Sequence, residues 1–404
     1  MYFNTISKLI RYKMSSIKEN RWFFTSLNGD YSDNPKAISE YLHELHPEVE
    51  IVWGVRQDVV DELPNYVKTV ERGSEEEFVL KGSSKIIIEN GLTNNAFNLR
   101  GSFSRESIRK RILLWFFEKK GQHVYSSWHG TPLKCLDRDQ IGNEDISGFA
   151  CNPFTMFVGN SFTKGIMEHV TFEKIKVMSI GMPRNDILFN KADVEKIKKR
   201  LQIPRDKKVV LFAPTFRNDG KDVEGKNIRR SGLDQIDLIN FKRLFNSLNI
   251  RFGSDWVFVC RFHYHVSELV NWKELENQYG NRIINGNKYN DMATYLSVTD
   301  ILITDASSCM FDFSLTLKPC FLFFPDYEHY INKERGLYKN ISDLPFPLAL
   351  NFDELISQIE NFDENTYLAD LQRMNTDLGN VDDGLATKRV VHHIWGELEN
   401  ESAV

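Results

Sequence analysis

The sequence predicts an α/β protein of two domains, each built around a parallel β-sheet. Three observations carry this. The chain has 404 residues, more than a single hydrophobic core ordinarily organises. Short aromatic or β-branched runs alternate with helical stretches along its length, which is the pattern of βαβ units. The rhythm restarts after a charged, proline-terminated stretch, DVEKIKKRLQIP (193–204), where KKVVLFAP opens a new strand. This places the first domain at 1–190 and the second at 191–385, with a C-terminal helix, 386–404, that packs back on the first.

The elements follow in order. Residues 1–21 carry Lys8, Arg11, Lys13, Lys18 and Arg21 against Glu19, with Tyr2, Phe3, Ile6, Leu9 and Ile10 interleaved at helical spacing. An interfacial helix on anionic lipid and an ordinary solvated helix both fit. RWFFTSL (21–27) is a strand, and Gly29 to Pro35 is a turn whose proline suits the first turn of a helix running to about Leu45. VEIVWGV (49–55) and KIIIEN (85–90) are strands. RESIRKRILLWFFEKK (105–120) flanks an apolar block, Ile112 to Phe117, with Arg105, Arg109, Lys110, Arg111, Lys119 and Lys120. It fits a core helix with a basic flank or a membrane- or acceptor-facing patch. In the second half DWVFVCRFH (255–263), DILITD (300–305) and CFLFFPD (320–326) are strands, and a last helix lies near 384–397.

Composition excludes several classes. The formal net charge is −5, which argues against a nucleic-acid binder. The five cysteines are widely spaced with no CxxC, which suits a reducing compartment and disfavours a disulfide scaffold or a structural zinc site. No apolar run approaches the roughly 20 residues of a membrane-spanning helix, and the N-terminus does not read as a secretory signal.

Chemistry concentrates in a few loops that follow strands. In TDASSCMFDF (304–313), Ser307 and Ser308 stand where a helix begins, after a buried strand. Unpaired N–H groups and two hydroxyls there suit a phosphate, at the sheet edge where ligands bind. Asp312 lies one turn further on the same side. A plain helix cap fits the same residues. In SSWHGTPLKCL (126–136), His129 occupies a tight loop shaped by Gly130, Thr131 and Pro132, and imidazole is the side chain best suited to take a proton near neutral pH. In CRFHYH (260–265), a strand would put Arg261 and His263 on one face, where they could neutralise a pyrophosphate leaving group. A structural Arg–His pair fits as well. Thr215 and Arg217 in LFAPTFRND, Arg184 in GMPRND and, more weakly, Arg335 in KERGLY complete the candidates. GKDVEGKN (220–227) nearly matches a P-loop, but Asn227 stands where Ser or Thr would hold the metal, and the context is a polar loop. No HExxH and no His/Cys set with metal spacing occurs.

Taken together, KKGQHVYSSWHGTPLK, GMPRND, APTFR, RFH, TDASSCMFDF and ERGLY, in this order and after YSDNPKAISEYL, resemble the CDP-glycerol glycerophosphotransferase family of teichoic-acid and capsule enzymes, over about residues 21–347. The resemblance implies a GT-B-like fold, two Rossmann-like domains facing a central cleft, with the acceptor half first and the CDP half second. It implies a CDP-glycerol or other CDP-polyol donor, a lipid-linked or oligosaccharide acceptor, no cofactor and no metal. It also implies a cytoplasmic protein peripheral on the inner face of the membrane, with no nucleic acid as partner. Carried over by motif, His129 is the general base and His263 a second catalytic group. Gly130, Thr131, Pro132, Arg184, Thr215, Arg217, Arg261, His263, Ser307, Ser308 and Asp312 are donor-binding positions. Ala306 replaces the tyrosine usual before the two serines, Asp137 stands where glycine is common, and Ser127 replaces a common threonine. These departures bear on substrate identity. The same chemistry with CDP-ribitol, a sugar-nucleotide glycosyltransferase on the same fold and a non-catalytic scaffold subunit are the alternatives.

Overall fold

The computed structural model describes residues 2–90, 119–136, 139, 155–171, 175–190, 194–215, 233–262, 270–333 and 336–402. The chain forms two compact units. One comprises Met1–Gly130, Leu136–Asp186 and Gly379–Val404, and the other Thr131–Cys135 and Ile187–Leu378. The chain thus changes unit at Asp186/Ile187 rather than at 190/191, and at Leu378/Gly379 rather than at 385/386. Thr131–Cys135, expected in the first domain, belongs to the second unit because its backbone pairs there. The Cys135 N–H donates to Gly336 O at 2.7 Å, and the Tyr338 N–H to Leu133 O at 2.8 Å.

The first unit holds seven parallel strands: β1 (Lys18–Thr25), β2 (Glu50–Val55), β3 (Lys68–Glu71), β4 (Ser84–Glu89), β5 (His123–Ser127), β6 (Thr155–Val158) and β7 (Lys176–Ser179), in the order β3-β2-β1-β4-β5-β6-β7. Alternation along the strands divides the core. Trp22, Phe24, Ile86 and Ile88 face one side, and Phe23 and Ile87 the other. This is why WFF and III read as unbroken apolar runs: both faces of the sheet are covered. The first side is covered by Ile38 and Leu42 of α2 (Asp33–Leu45) and by Val390, Val391 and Ile394 of the C-terminal helix Ala386–Ser402. That helix is fixed at its start by Asp186, whose carboxylate accepts the N–H groups of Ala386 and Thr387 at 3.0 and 2.8 Å, an arrangement that satisfies unpaired donors and suits the helix dipole.

The other side is covered by α1 (Tyr2–Met14) and α3 (Glu75–Gly82). Tyr12 of α1 is fully buried beside Phe78 and Leu80, Arg11 pairs with Glu75 at 3.2 Å, and Lys119 donates to Tyr12 O at 2.9 Å. The Tyr12 side of the basic N-terminal helix is therefore part of the protein core. Most of the 105–120 segment lies outside the described residues. No helix among the described residues is long and apolar enough to cross a membrane.

The second unit holds six parallel strands: β8 (Lys208–Ala213), β9 (Trp256–Cys260), β10 (Ile283–Asn285), β11 (Ile301–Thr304), β12 (Cys320–Phe323) and β13 (Leu348–Ala349), in the order β10-β9-β8-β11-β12-β13. The strand expected over 255–263 stops at Cys260. Two residues further on, the Phe262 N–H has left the ladder and donates to the Asn287 side chain at 3.0 Å. The parity argument that paired Arg261 with His263 on a strand face therefore does not apply.

At Gly82 the backbones of α3 and α1 approach closely. A Cβ there would lie 2.2 Å from Tyr12 O and 2.7 Å from Tyr12 Cα, and backbone atoms cannot yield as a flexible side chain can. Gly82→Ala is expected to destabilise the first unit by about 1–3 kcal/mol and to expose α1 to hydrogen exchange. Unchanged exchange in α1 would show that the helix is not seated as described.

Candidate active site

In both sheets the strand order reverses beside the first strand, between β1 and β4 and between β8 and β11. The crevice at the carboxyl ends of strands flanking such a switch point is where open α/β sheets bind ligands. A side chain spans each one. In the first unit the Leu27 N–H, two residues past β1, donates to Oδ1 of Asn90, one residue past β4, at 2.7 Å. In the second, the Thr215 N–H, two residues past β8, donates to Oδ1 of Asp305, one residue past β11, at 2.8 Å. The offsets are the same, so both units carry the same latch.

His129 follows β5 by two residues in the first unit. Its ring lies 4.1 Å from that of Trp128, and its Nδ1 is buried with no hydrogen-bond partner. Gly130 has φ +138°, a conformation that strains any L side chain, so the turn after the histidine depends on glycine. Arg184 and Asp33 flank the ring. The Arg184 guanidinium meets Asp33 Oδ2 at 2.9 Å, and its N–H donates to Asn34 Oδ1 at 3.0 Å. Asn34 Nδ2 in turn donates to Trp128 O at 2.8 Å, which ties the start of α2 to the histidine loop. Asp33 itself sits at φ +65°, a strained backbone of the kind found at functional sites. Burial pushes the His129 pKa down to about 4, with Asp33 acting upward and Arg184 downward. The imidazole is therefore neutral at pH 7 and able to accept a proton.

Asp305 organises the second site. It is fully buried. Its Oδ1 accepts both the N–H and the hydroxyl of Thr215, and Oδ2 accepts from Gln235 Nε2 at 3.2 Å. The Thr215 hydroxyl, expected on the donor, is thus committed to holding its own loop. Ser307 and Ser308 follow on a half-buried turn before the short helix Cys309–Ser314. Ser307 Oγ accepts the Cys309 N–H at 3.5 Å, while Ser308 makes no capping bond. Asp312 is buried one turn further on.

The Arg261 guanidinium, expected on the donor, is engaged by backbone carbonyls. Nη1 donates to Gly286 O and Tyr289 O at 2.8 and 2.6 Å, and Nη2 to Asn290 O at 2.6 Å, with the guanidinium over the Tyr295 ring. It braces the loop after β10. Arg217, His263 and Arg335 lie outside the described residues. Thr131 and Pro132 are buried and belong to the second unit, one residue beyond Gly130.

Asn90, Asp33, Asn34 and Gln235 escaped the sequence reading, as did Glu89. Thr25, Glu89 and Ser126 stand in register across β1, β4 and β5, and burial pushes the Glu89 carboxyl up to about 7. The polar ending of KIIIEN was the available signal, since a buried strand that closes on Glu-Asn places two polar side chains at a sheet edge.

Two all-parallel α/β units, each with polar side chains gathered at its own switch point, define a GT-B-like fold. The chain belongs to the family described as CDP-glycerol:poly(glycerophosphate) glycerophosphotransferase, whose model matches residues 6–396. It is similar to a teichoic acid glycerol-phosphate transferase of Staphylococcus aureus, 28% identical over 97% of this chain and 99% of that one. It is also similar to a teichoic acid poly(glycerol phosphate) polymerase of Staphylococcus epidermidis, 27% identical over 96% of this chain and 52% of that one. The chain thus spans about half the length of the second relative and nearly all of the first. Among solved structures it is similar to a variant of the wall teichoic acid polymerase TagF, with a TM-score of 0.76 and 25% identity over 98% of this chain and 94% of that one.

The charges around His129 predict the direction of its titration. In an NMR titration the ring should protonate near pH 4. Arg184→Gln, which removes a cation, should raise that midpoint, and Asp33→Asn should lower it. A midpoint near 6.5 that ignores both substitutions would contradict the buried environment described.

Proposed function

We propose that this chain transfers glycerol phosphate from CDP-glycerol to a hydroxyl of a teichoic-acid-type acceptor, with release of CMP. The observation that carries the reading is His129. In a chain of this family, a neutral imidazole with an unpartnered ring nitrogen follows a strand at the carboxyl edge of the first sheet.

The acceptor oxygen attacks the β-phosphorus of the donor. A new O–P bond forms, the bond from that phosphorus to the bridging oxygen breaks, and the electron pair leaves with CMP. His129 takes the hydroxyl proton. Asp33 favours the imidazolium that results, and Arg184 keeps the resting ring neutral. The second unit supplies the donor-binding groups: the Ser307 and Ser308 hydroxyls for the diphosphate, on a turn whose position depends on Asp305. Arg217 and His263 add positive charge for the leaving group. Thr215 and Arg261 act as positioning residues, the first on the loop after β8 and the second on the loop after β10. The acceptor is a polyol-phosphate chain or a lipid-linked oligosaccharide, and its lipid anchor would bring the enzyme to the inner face of the membrane. Positioning and charge stabilisation account for most of the rate in such phosphoryl transfers.

His129→Ala is expected to lower turnover by about 10²–10⁴-fold while leaving CDP-glycerol affinity within a few-fold. CMP release and the acceptor product are followed with CDP-glycerol and CDP-ribitol offered side by side. Full turnover in the variant would remove His129 as base, and a preference for CDP-ribitol would replace glycerol phosphate as the transferred group.

A further inference from the structure

Gln235, on the short helix Leu233–Asp237, appears in none of the motifs that define the site, yet it is built into the latch of the second unit. Its residue exposure is 6%. Nε2 donates to Asp305 Oδ2 at 3.2 Å. That contact fixes which way the amide faces, because a carboxylate oxygen that accepts requires the NH₂ end and would repel the carbonyl end. The other end, Oε1, is consequently a buried acceptor, and it has no hydrogen-bond partner among the described residues. An unmet buried acceptor is costly. Here it stands beside the carboxyl ends of β8 and β11, where a ligand of this sheet would sit.

We infer that Gln235 Oε1 accepts a hydrogen bond from the nucleoside half of the donor and contributes to nucleotide selectivity. The inference rests on the donor reading above. A phosphate offers only acceptor oxygens at neutral pH, so it cannot satisfy Oε1. The partner must carry an N–H or O–H. In CDP-glycerol these are the cytosine amino group, the ribose hydroxyls and the two glycerol hydroxyls, and the glycerol hydroxyls move away with the transferred group. The nucleoside is also the part of the donor that is not transferred and leaves intact within CMP, which suits a rigid, buried contact. Asp305 then has two tasks through one carboxylate. It holds the loop after β8 through Thr215, and it aims Gln235.

Calorimetric titration of the full chain with CMP, UMP, 2′-deoxy-CMP and 3′-deoxy-CMP tests this. UMP lacks the amino group, and each deoxy analogue lacks one hydroxyl, so the analogue that loses affinity identifies the donor atom. The wild-type protein should bind one of the three about tenfold or more weakly than CMP, as expected when a buried hydrogen bond is lost. Gln235→Met should bind that analogue and CMP alike. Gln235→Lys, which keeps a donor for Asp305 but has no acceptor oxygen, should behave the same way and guards against a folding defect in the methionine variant. A merely structural role would weaken all four nucleotides together and leave their ratios unchanged. Retention of the wild-type ratios in either folded variant, or a wild-type protein that does not distinguish the four, overturns the inference. Failure of the wild-type protein to bind any of them overturns the donor reading itself.

Discussion

The Asp305 carboxylate holds Thr215 across the gap between β8 and β11, and the rest of the second site depends on that hydrogen-bonded bridge. Parallel strands flanking a switch point diverge into loops that have no ladder partners, so their N–H groups must be met by something else or remain unpaired. A short acceptor side chain one residue beyond the neighbouring strand meets this need, and it fixes the distance between the two loops. The first unit uses Asn90 for the same purpose at the same offset. In both, the spacing of the loops at the switch point is set by a side chain rather than by the sheet. The two side chains differ in what they have left to offer. Asn90 Nδ2 is a buried donor without a partner, while Asp305 passes its second oxygen to Gln235 and ends in a buried acceptor.

Burial does the corresponding work around His129. Desolvation is the main influence that lowers the ring's pKa, and the Asp33–Arg184 pair beside it adjusts the basicity from opposite directions. The pair also ties three distant parts of the chain together, the start of α2, the loop after β5 and the turn at Pro183–Asn185, through Asn34. A substitution at Arg184 therefore changes both the charge felt by the imidazole and the position of its loop, and the two effects are separable only when titration and affinity are measured together.

The sequence made the central strands legible, because WFF, III, VVLF and ILI are buried on both faces and bear no other reading. It concealed the short strands at or next to the sheet edges, β3, β6, β7, β10 and β13, whose two to four residues carry too little periodicity to register. The placement of His129 and Ser307–Ser308 on loops after strands was legible from motif and context. The roles of Arg261 and Thr215 were not. Both types bind phosphate readily, and only the fold reveals that three backbone carbonyls and one buried carboxylate engage them first. Gln235 and Asp33 were invisible for the complementary reason. Their importance comes from partners 70 and 151 residues away in the chain, which no local pattern encodes.

The most direct test of the central claim is a crystal structure of the protein with CDP-glycerol. The account predicts that the diphosphate lies at the carboxyl ends of β8 and β11, against the Ser307–Ser308 turn, with the Thr215–Asp305–Gln235 bridge intact beneath it. Donor density at another edge of the second sheet, or a bridge that opens when the nucleotide binds, would contradict it.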